Sequence, residues 1–373
     1  MTQPFLPFTR PSIDDDTIAD VVAVLKGGWI TTGPRVASFE QSLSDYLGGR
    51  TVRSMTSATG GMEMALKALG VGPGDEVIVP AMTFAASANV VERLGAKAVF
   101  VDVELRSRNA TPAAMEAAIT PRTKVLMPVH FSGLAVDMDG VLDLAARRGL
   151  RVMEDAAHAI GTRYKGRLIG SFGDVASFSF HANKNMTTVE GGALAYADSR
   201  LTIPLERERF HGIVKDAAGN IDIETAGGKF NLTDVAAAVG LGQLRSLEAF
   251  NQRRTALAER YAARLASHVD TDRLPLPGDG HSWHMYPFLL PLGDLGMTRD
   301  AFIAKMRERG IGLGIHYPCV PAMSYYRGIG WNPANFPIAA RIGAETVTLP
   351  LFPAMADSDV DRVCDALLEL LPR

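Results

Sequence analysis

The sequence predicts an α/β fold, a mostly parallel sheet with helices, followed by a smaller α+β domain. Three observations carry this. Between residues 50 and 200, short apolar runs rich in β-branched residues alternate with helical stretches. Those runs are close to continuously apolar, the pattern of strands covered on both faces. Past residue 200 the alternation gives way to a long Ala/Leu/Arg-rich helical tract, then to shorter strands and helices. A chain of 373 residues makes about two domains, which we place at 1–245 (large) and 246–373 (small).

Residues 13–48 read as two helices. IADVVAVLKGG stops at Gly27-Gly28, WITTGP (29–34) is a loop, and VASFEQSLSDYLG (36–48) follows. Strands are expected at 76–80, 97–103, 124–130, 151–155, 176–180 and 192–197. Helices are expected at 61–70, 84–95, 111–119 and 136–149. Residues 205–232 are polar and Gly-rich and read as a long loop. Residues 233–266 read as a long helix kinked near Gly240 and Gly242. A strand at 286–292 and helices at 298–310 and 357–371 complete the small domain. In such sheets ligands gather at the carboxyl ends of the strands.

With 47% hydrophobic and 21% charged residues, the chain is too apolar to be disordered. A net charge of -3 without a basic run argues against a nucleic-acid partner. Cys319 and Cys364 cannot make a disulfide framework, which suggests a reducing compartment. MTQPFLPFTRPSIDDD lacks a leader pattern and no apolar run reaches membrane-spanning length. The expectation is a soluble cytoplasmic protein with no membrane partner. No metal-ligand set is read.

Three segments carry chemistry. The first is 154–192, EDAAHAIGTRYKGRLIGSFGDVASFSFHANKNMTTVEGG. Asp155 closes one expected strand and Lys184 follows another, so both face the same crevice. A buried Asp and Lys need partners or a cofactor. Pyridoxal phosphate (PLP) takes both groups, a lysine for its Schiff base and a carboxylate for its ring nitrogen. Taken alone, such a pair is more often a structural ion pair or a pair of surface residues. The second is TSATGGMEMALKALG (56–70), where small residues open a helix whose N–H groups favour a phosphate. A plain N-cap at Ser57 or Thr59 explains it as well. The third is Phe84, just past the strand at 76–80, placed to stack on a planar ring or to fill the core. GVGPGDE (70–76) precedes a strand instead of following one, so it is no dinucleotide loop.

Together these segments resemble the DegT/DnrJ/EryC1/StrS family of PLP-dependent sugar aminotransferases, fold type I enzymes of the aspartate-aminotransferase kind. The resemblance runs through FTRP (8–11), GGWITTGP, TSATGGMEMALKALGVGPGDEVIVPAMTF and EDAAHAIGTRYKGRLIGSFGD. It continues through SFSFHANKNMTTVEGG, FHG, KFNLTDVAAAVGLGQL, GIGLGIHYP and LPLFPAM, nearly the whole chain in order. It implies a mostly parallel mixed central sheet flanked by helices, with PLP bound by the large domain. It also implies transfer of an amino group from L-glutamate, leaving 2-oxoglutarate, to a keto group on a nucleotide-linked deoxy sugar. WITTGP, EDAAHA, SFHANKN and PLFPAM are most similar to enzymes that form UDP-4-amino-4-deoxy-L-arabinose from a UDP-4-keto-pentose.

The resemblance also implies residue roles. Lys184, Asp155 and His158 match the catalytic positions: the Schiff-base lysine, the ring-nitrogen carboxylate and a group beside the phenolic oxygen. Phe84 matches the ring-stacking residue, and Ala58, Thr59 and Ser179 the phosphate cradle. Asn231 matches a residue that reaches the phosphate of the neighbouring subunit, which implies a homodimer with shared active sites. Thr31, Thr32, Lys229, His316 and Tyr317 match the substrate side. A histidine replaces the lysine in related dehydratases, so Lys184 favours transamination. Val189 stands where relatives carry Gly, and valine resists a positive φ.

Overall fold

The computed structural model describes residues 4–372. Residues 1–3 and 373, at the outer ends of the two expected domains, lie outside them. The central sheet has seven strands: β1 (Thr51–Met55), β2 (Glu76–Pro80), β3 (Lys97–Val101), β4 (Thr123–Leu126), β5 (Arg151–Asp155), β6 (Val175–Ser179) and β7 (Gly192–Tyr196). Their order is β1-β7-β6-β5-β4-β2-β3. Only β7 runs against the rest, pairing antiparallel with β1 and β6. The pairs β6/β5, β5/β4, β4/β2 and β2/β3 are parallel. This is the mostly parallel mixed sheet that the sequence predicts.

Helices flank it: α1 (Asp15–Gly27), α2 (Pro34–Tyr46), α3 (Ala58–Ala68), α4 (Ala86–Arg93), α5 (Pro112–Ala117) and α6 (Met138–Arg148). Next come α7 (Thr202–Arg209), α8 (Asp234–Leu265), α9 (Arg299–Glu308), α10 (Ser324–Gly328), α11 (Pro337–Glu345) and α12 (Asp357–Leu370). Strands 286–289 and 346–349 pair antiparallel. None of these helices is long and apolar enough to cross a membrane.

Buried apolar side chains form two clusters. One packs around the seven strands and includes Cys319, Tyr326 and Ile342 from near the C-terminus. The other joins Leu6, the last third of α8, α9, α12 and the strands 286–289 and 346–349. Helix α8 passes from the first cluster to the second.

Three expectations are corrected. Residues 205–232 are not all loop: α7 ends at Arg209, and 213–215 pair with 221–223 as a hairpin. The segment β1 (TVRSM) was not expected as a strand. Helix α8 is a single 32-residue helix. Its glycines allow close packing instead of kinking it. A Cβ on Gly240 would sit 2.7 Å from the Phe39 ring of α2, and one on Gly242 only 1.8 Å from Thr17 Oγ1 of α1. The other end of α8 is laced to α12 by Arg253–Asp357 and Arg260–Asp361 pairs at 2.8 and 2.6 Å.

Candidate active site

Because β1, β2, β4, β5 and β6 run the same way, their carboxyl ends open on one edge of the sheet. A cavity of about 310 Å³ lies there. Each strand delivers part of its wall: Ser57, Ala58 and Thr59 after β1, Thr83 and Phe84 after β2, and Val129 after β4. Asp155 and His158 come from the end of β5, and Ser179 and Lys184 from the end of β6. Glu190 and Gly191 lead into β7 from the opposite direction, and His316 and Tyr317 close the far side.

At one end the cavity offers unpaired N–H groups. Ser57 caps α3, its hydroxyl accepting from Gly60 N at 3.0 Å and its carbonyl from Gly61 N at 3.0 Å. Among the described residues, nothing accepts from the amides of Ala58 and Thr59. A helix N-terminus with two free amides is an anion site, and Ser179 adds a hydroxyl. Gly192 makes this approach possible, since a Cβ there would lie 2.5 Å from Ala58 N.

Asp155 is buried, as is Ser87, which holds it from one side. Its Oδ2 accepts from Ser87 Oγ at 2.6 Å and its Oδ1 from Ala157 N at 3.1 Å. Thr83 Oγ1 lies 2.7 Å from the same Ser87 hydroxyl. Burial pulls the Lys184 amine down from 10.5 to about 8, although the charge of Asp155 opposes this. Burial, with help from the Lys184 charge, pushes His158 well below its ordinary range, so the ring is neutral. Its tautomer follows from its neighbours. Ser132 N can only donate, and it reaches His158 Nδ1 at 3.3 Å. The ring proton therefore sits on Nε2, which donates to Tyr317 Oη at 3.1 Å. Phe84 is 55% exposed at the mouth, so it is not a core residue.

Nine residues singled out from the sequence thus line one cavity: Ala58, Thr59, Phe84, Asp155, His158, Ser179, Lys184, His316 and Tyr317. Four do not. Thr32 Oγ1 donates to Leu232 O and accepts from Asn231 Nδ2, and Lys229 Nζ donates to Asn231 Oδ1, a cluster outside the cavity. Thr31 anchors the same loop by accepting from Asp234 N. Sequence reasoning missed Ser87 and Thr83. Their spacing puts both hydroxyls at the start of α4, but nothing local shows that they meet Asp155.

Val189 has φ of +72° and is 59% exposed. A β-branched residue there carries about 1–2 kcal/mol of strain, and its exposed side chain has little packing to lose. Val189→Gly is expected to stabilise the protein by about 1 kcal/mol, after the greater unfolded-state freedom of glycine is counted. A lower denaturation midpoint for this variant would refute the strain.

A seven-stranded mostly parallel sheet whose carboxyl edge joins an anion-binding helix start, a buried carboxylate and an amine of lowered pKa defines a PLP-dependent aminotransferase. The profile of the DegT/DnrJ/EryC1/StrS aminotransferase family matches residues 11–368, and the chain belongs to that family. A Streptococcus pneumoniae protein named as a sugar aminotransferase, Spr1654, is 33% identical in its PMP form, with TM-score 0.91 over 98% of this chain and 97% of that one. S. venezuelae DesV is 33% identical over all of both chains, with TM-score 0.90. Helicobacter pylori PseC, an aminotransferase in the biosynthesis of pseudoaminic acid, is 26% identical over 98% and 99%, with TM-score 0.92. The S. pneumoniae protein is also known in a PLP form.

The residues present fit PLP. The two free amides and Ser179 suit its phosphate, and Asp155, a buried carboxylate facing the same cavity as Lys184, suits a protonated ring nitrogen. No arginine lines the cavity among the described residues, so the wall shows no fixed clamp for a donor carboxylate.

Proposed function

We propose that the enzyme moves the amino group of L-glutamate onto the keto carbon of a nucleotide-linked deoxy sugar. We take the acceptor to be a UDP-4-keto-pentose, giving UDP-4-amino-4-deoxy-L-arabinose. The observation that carries amino transfer is Lys184, with a pKa of about 8, sharing one cavity with buried Asp155. The choice of sugar is supported by the motifs WITTGP, EDAAHA, SFHANKN and PLFPAM.

In this reading Ala58 N, Thr59 N and Ser179 Oγ hold the cofactor phosphate, and Phe84 covers the ring. Bound there, PLP supplies a carbonyl to carry the amino group and a ring to accept electrons. Asp155 keeps the ring nitrogen protonated, and Ser87 and Ala157 hold its carboxylate. With the cofactor bound, His158 would turn its Nε2 proton from Tyr317 Oη to the phenolic oxygen. Lys184 Nζ, neutral in part near physiological pH, would take the proton from the donor carbon and deliver it to the cofactor carbon that keeps the amino group. His316 and Tyr317 border the acceptor. Thr31, Thr32, Lys229 and Asn231 lie outside their own cavity, which suits service to a neighbouring subunit in a homodimer. Both cysteines are free and buried, in keeping with a cytoplasmic enzyme.

A panel of 3-keto and 4-keto sugar nucleotides with glutamate, followed by mass and by 2-oxoglutarate release, tests this. Amination of the 4-keto pentose is expected. Amination of 3-keto sugars alone overturns the choice of substrate. A product that loses oxygen without gaining nitrogen overturns transamination.

A further inference from the structure

Behind His158, away from the cavity, lies a buried polar network that the catalytic reading does not use. His284 is 6% exposed and its ring stacks on His158, with centroids 4.5 Å apart and planes 30° apart. Its Nδ1 lies 3.1 Å from Asn185 Oδ1, and Asn185 directly follows Lys184. The orientation of each amide follows from its partners. Asn251 Nδ2 donates to Ile160 O, so Asn251 Oδ1 is an acceptor. Asn185 Nδ2 donates to that oxygen at 2.7 Å and to Ser282 O at 2.8 Å. Asn185 Oδ1 therefore accepts, and His284 carries its proton on Nδ1. Burial, followed by the charges of Lys184 and Arg254, holds His284 well below its ordinary range. The stack is thus one of two neutral rings.

Arg254 fixes the backbone of the same segment. It lies on α8 one turn past Asn251 and donates from Nη1 to the carbonyls of Trp283, His284 and Leu351 at 3.4, 3.1 and 2.8 Å. A buried guanidinium without a carboxylate is costly, and here it holds the segment that leads into the strand 286–289 and presents His284. None of His284, Asn185, Asn251 or Arg254 lines the cavity.

We propose that His284 is a positioning residue: its ring is the wall that sets the plane of His158, and so the direction in which Nε2–H enters the cavity. This rests on the reading of His158 as donor to the phenolic oxygen of the cofactor.

The test is a pH titration of the visible band of the holoenzyme, with kcat and KM measured alongside. A donor to the phenolic oxygen favours its deprotonated form, so a misdirected His158 raises the midpoint. His284→Asn keeps an N–H for Asn185 but removes the ring. It is expected to raise the midpoint and lower kcat about tenfold, with the sugar KM little changed. His284→Phe restores a flat wall and is expected to recover most of both. A merely structural role would lower the melting temperature of His284→Asn without moving the midpoint. His158→Phe separates the two readings. If it leaves the midpoint in place, the role of His158 fails. If it moves the midpoint while His284→Asn does not, the positioning role of His284 is overturned. Should His284→Asn not fold, Asn185→Ser decides in its place: it frees the His284 ring and is expected to raise the midpoint too.

Discussion

Lys184→Ala is expected to abolish transamination, lowering kcat by about 10⁴-fold, the upper range for a positioned acid–base group. The variant should keep its fold, because Lys184 lines the cavity and, among the described residues, no side chain hydrogen-bonds its amine. A second readout belongs to the wild-type chain before it is loaded. Amines react with carbonyls in the neutral form. With a pKa of about 8, close to one amine in ten is neutral at pH 7, against about one in three thousand at the ordinary 10.5. The rate at which PLP loads the apoenzyme should therefore climb with pH and level off above about 8. The same shift acts on stability. The folded state releases this proton before the unfolded state does, so the lysine's contribution rises between about 8 and 10.5. A loading rate that keeps climbing toward 10.5 would mean that burial does not depress Lys184. Bleaching by glutamate that persists undiminished in Lys184→Ala would remove the residue from the mechanism.

Much of the fold and site is legible in the sequence because it is local. EVIVP is apolar after its first residue and RVMED carries an apolar Val-Met centre, and their expected limits coincide with β2 and β5. Ser57, Ala58 and Thr59 form a helix start readable from five residues. β1 is illegible for a physical reason. Its residues alternate between buried and half-buried, and Arg53, which looks like a loop residue, pairs with Glu206 and with Glu40 at 3.8 Å. The hairpin at 213–215 and 221–223 hides in a polar, glycine-rich stretch, because its strands are short and mostly exposed. The glycines of α8 look like helix breakers in the sequence, yet α1 and α2 press on them in the fold. Around the site, contacts made at a distance are hidden in the same way. Ser87 meets Asp155 only once β2 lies near β5 in the sheet, and His284 meets His158 only once the two apolar clusters are joined. Val189 is the converse case. One residue out of keeping with its family is enough to mark a backbone at positive φ.

Asp155→Asn is expected to cost at least about 10²-fold in kcat, with PLP still partly bound. The substitution keeps the size of the side chain; its single oxygen can still accept from Ala157 N, and Ser87 Oγ can accept from the new amide N–H while donating to Phe84 O. What it removes is the charge, and with it the reason for the ring nitrogen to stay protonated. Asp155→Ala removes one partner of the buried Ser87 hydroxyl, which keeps Thr83 Oγ1 and Phe84 O, so it should lose only about 1 kcal/mol of stability besides activity. The carboxylate has a second effect that separates its charge from its shape. Its negative charge raises Lys184 against the lowering effect of burial. In the apo Asp155→Asn chain the lysine should therefore titrate below 8, and PLP loading should level off at lower pH than in the wild type. Wild-type turnover in Asp155→Asn would take the carboxylate out of the mechanism. An unmoved loading profile with lost turnover would confine its action to the cofactor ring, with no hold on Lys184.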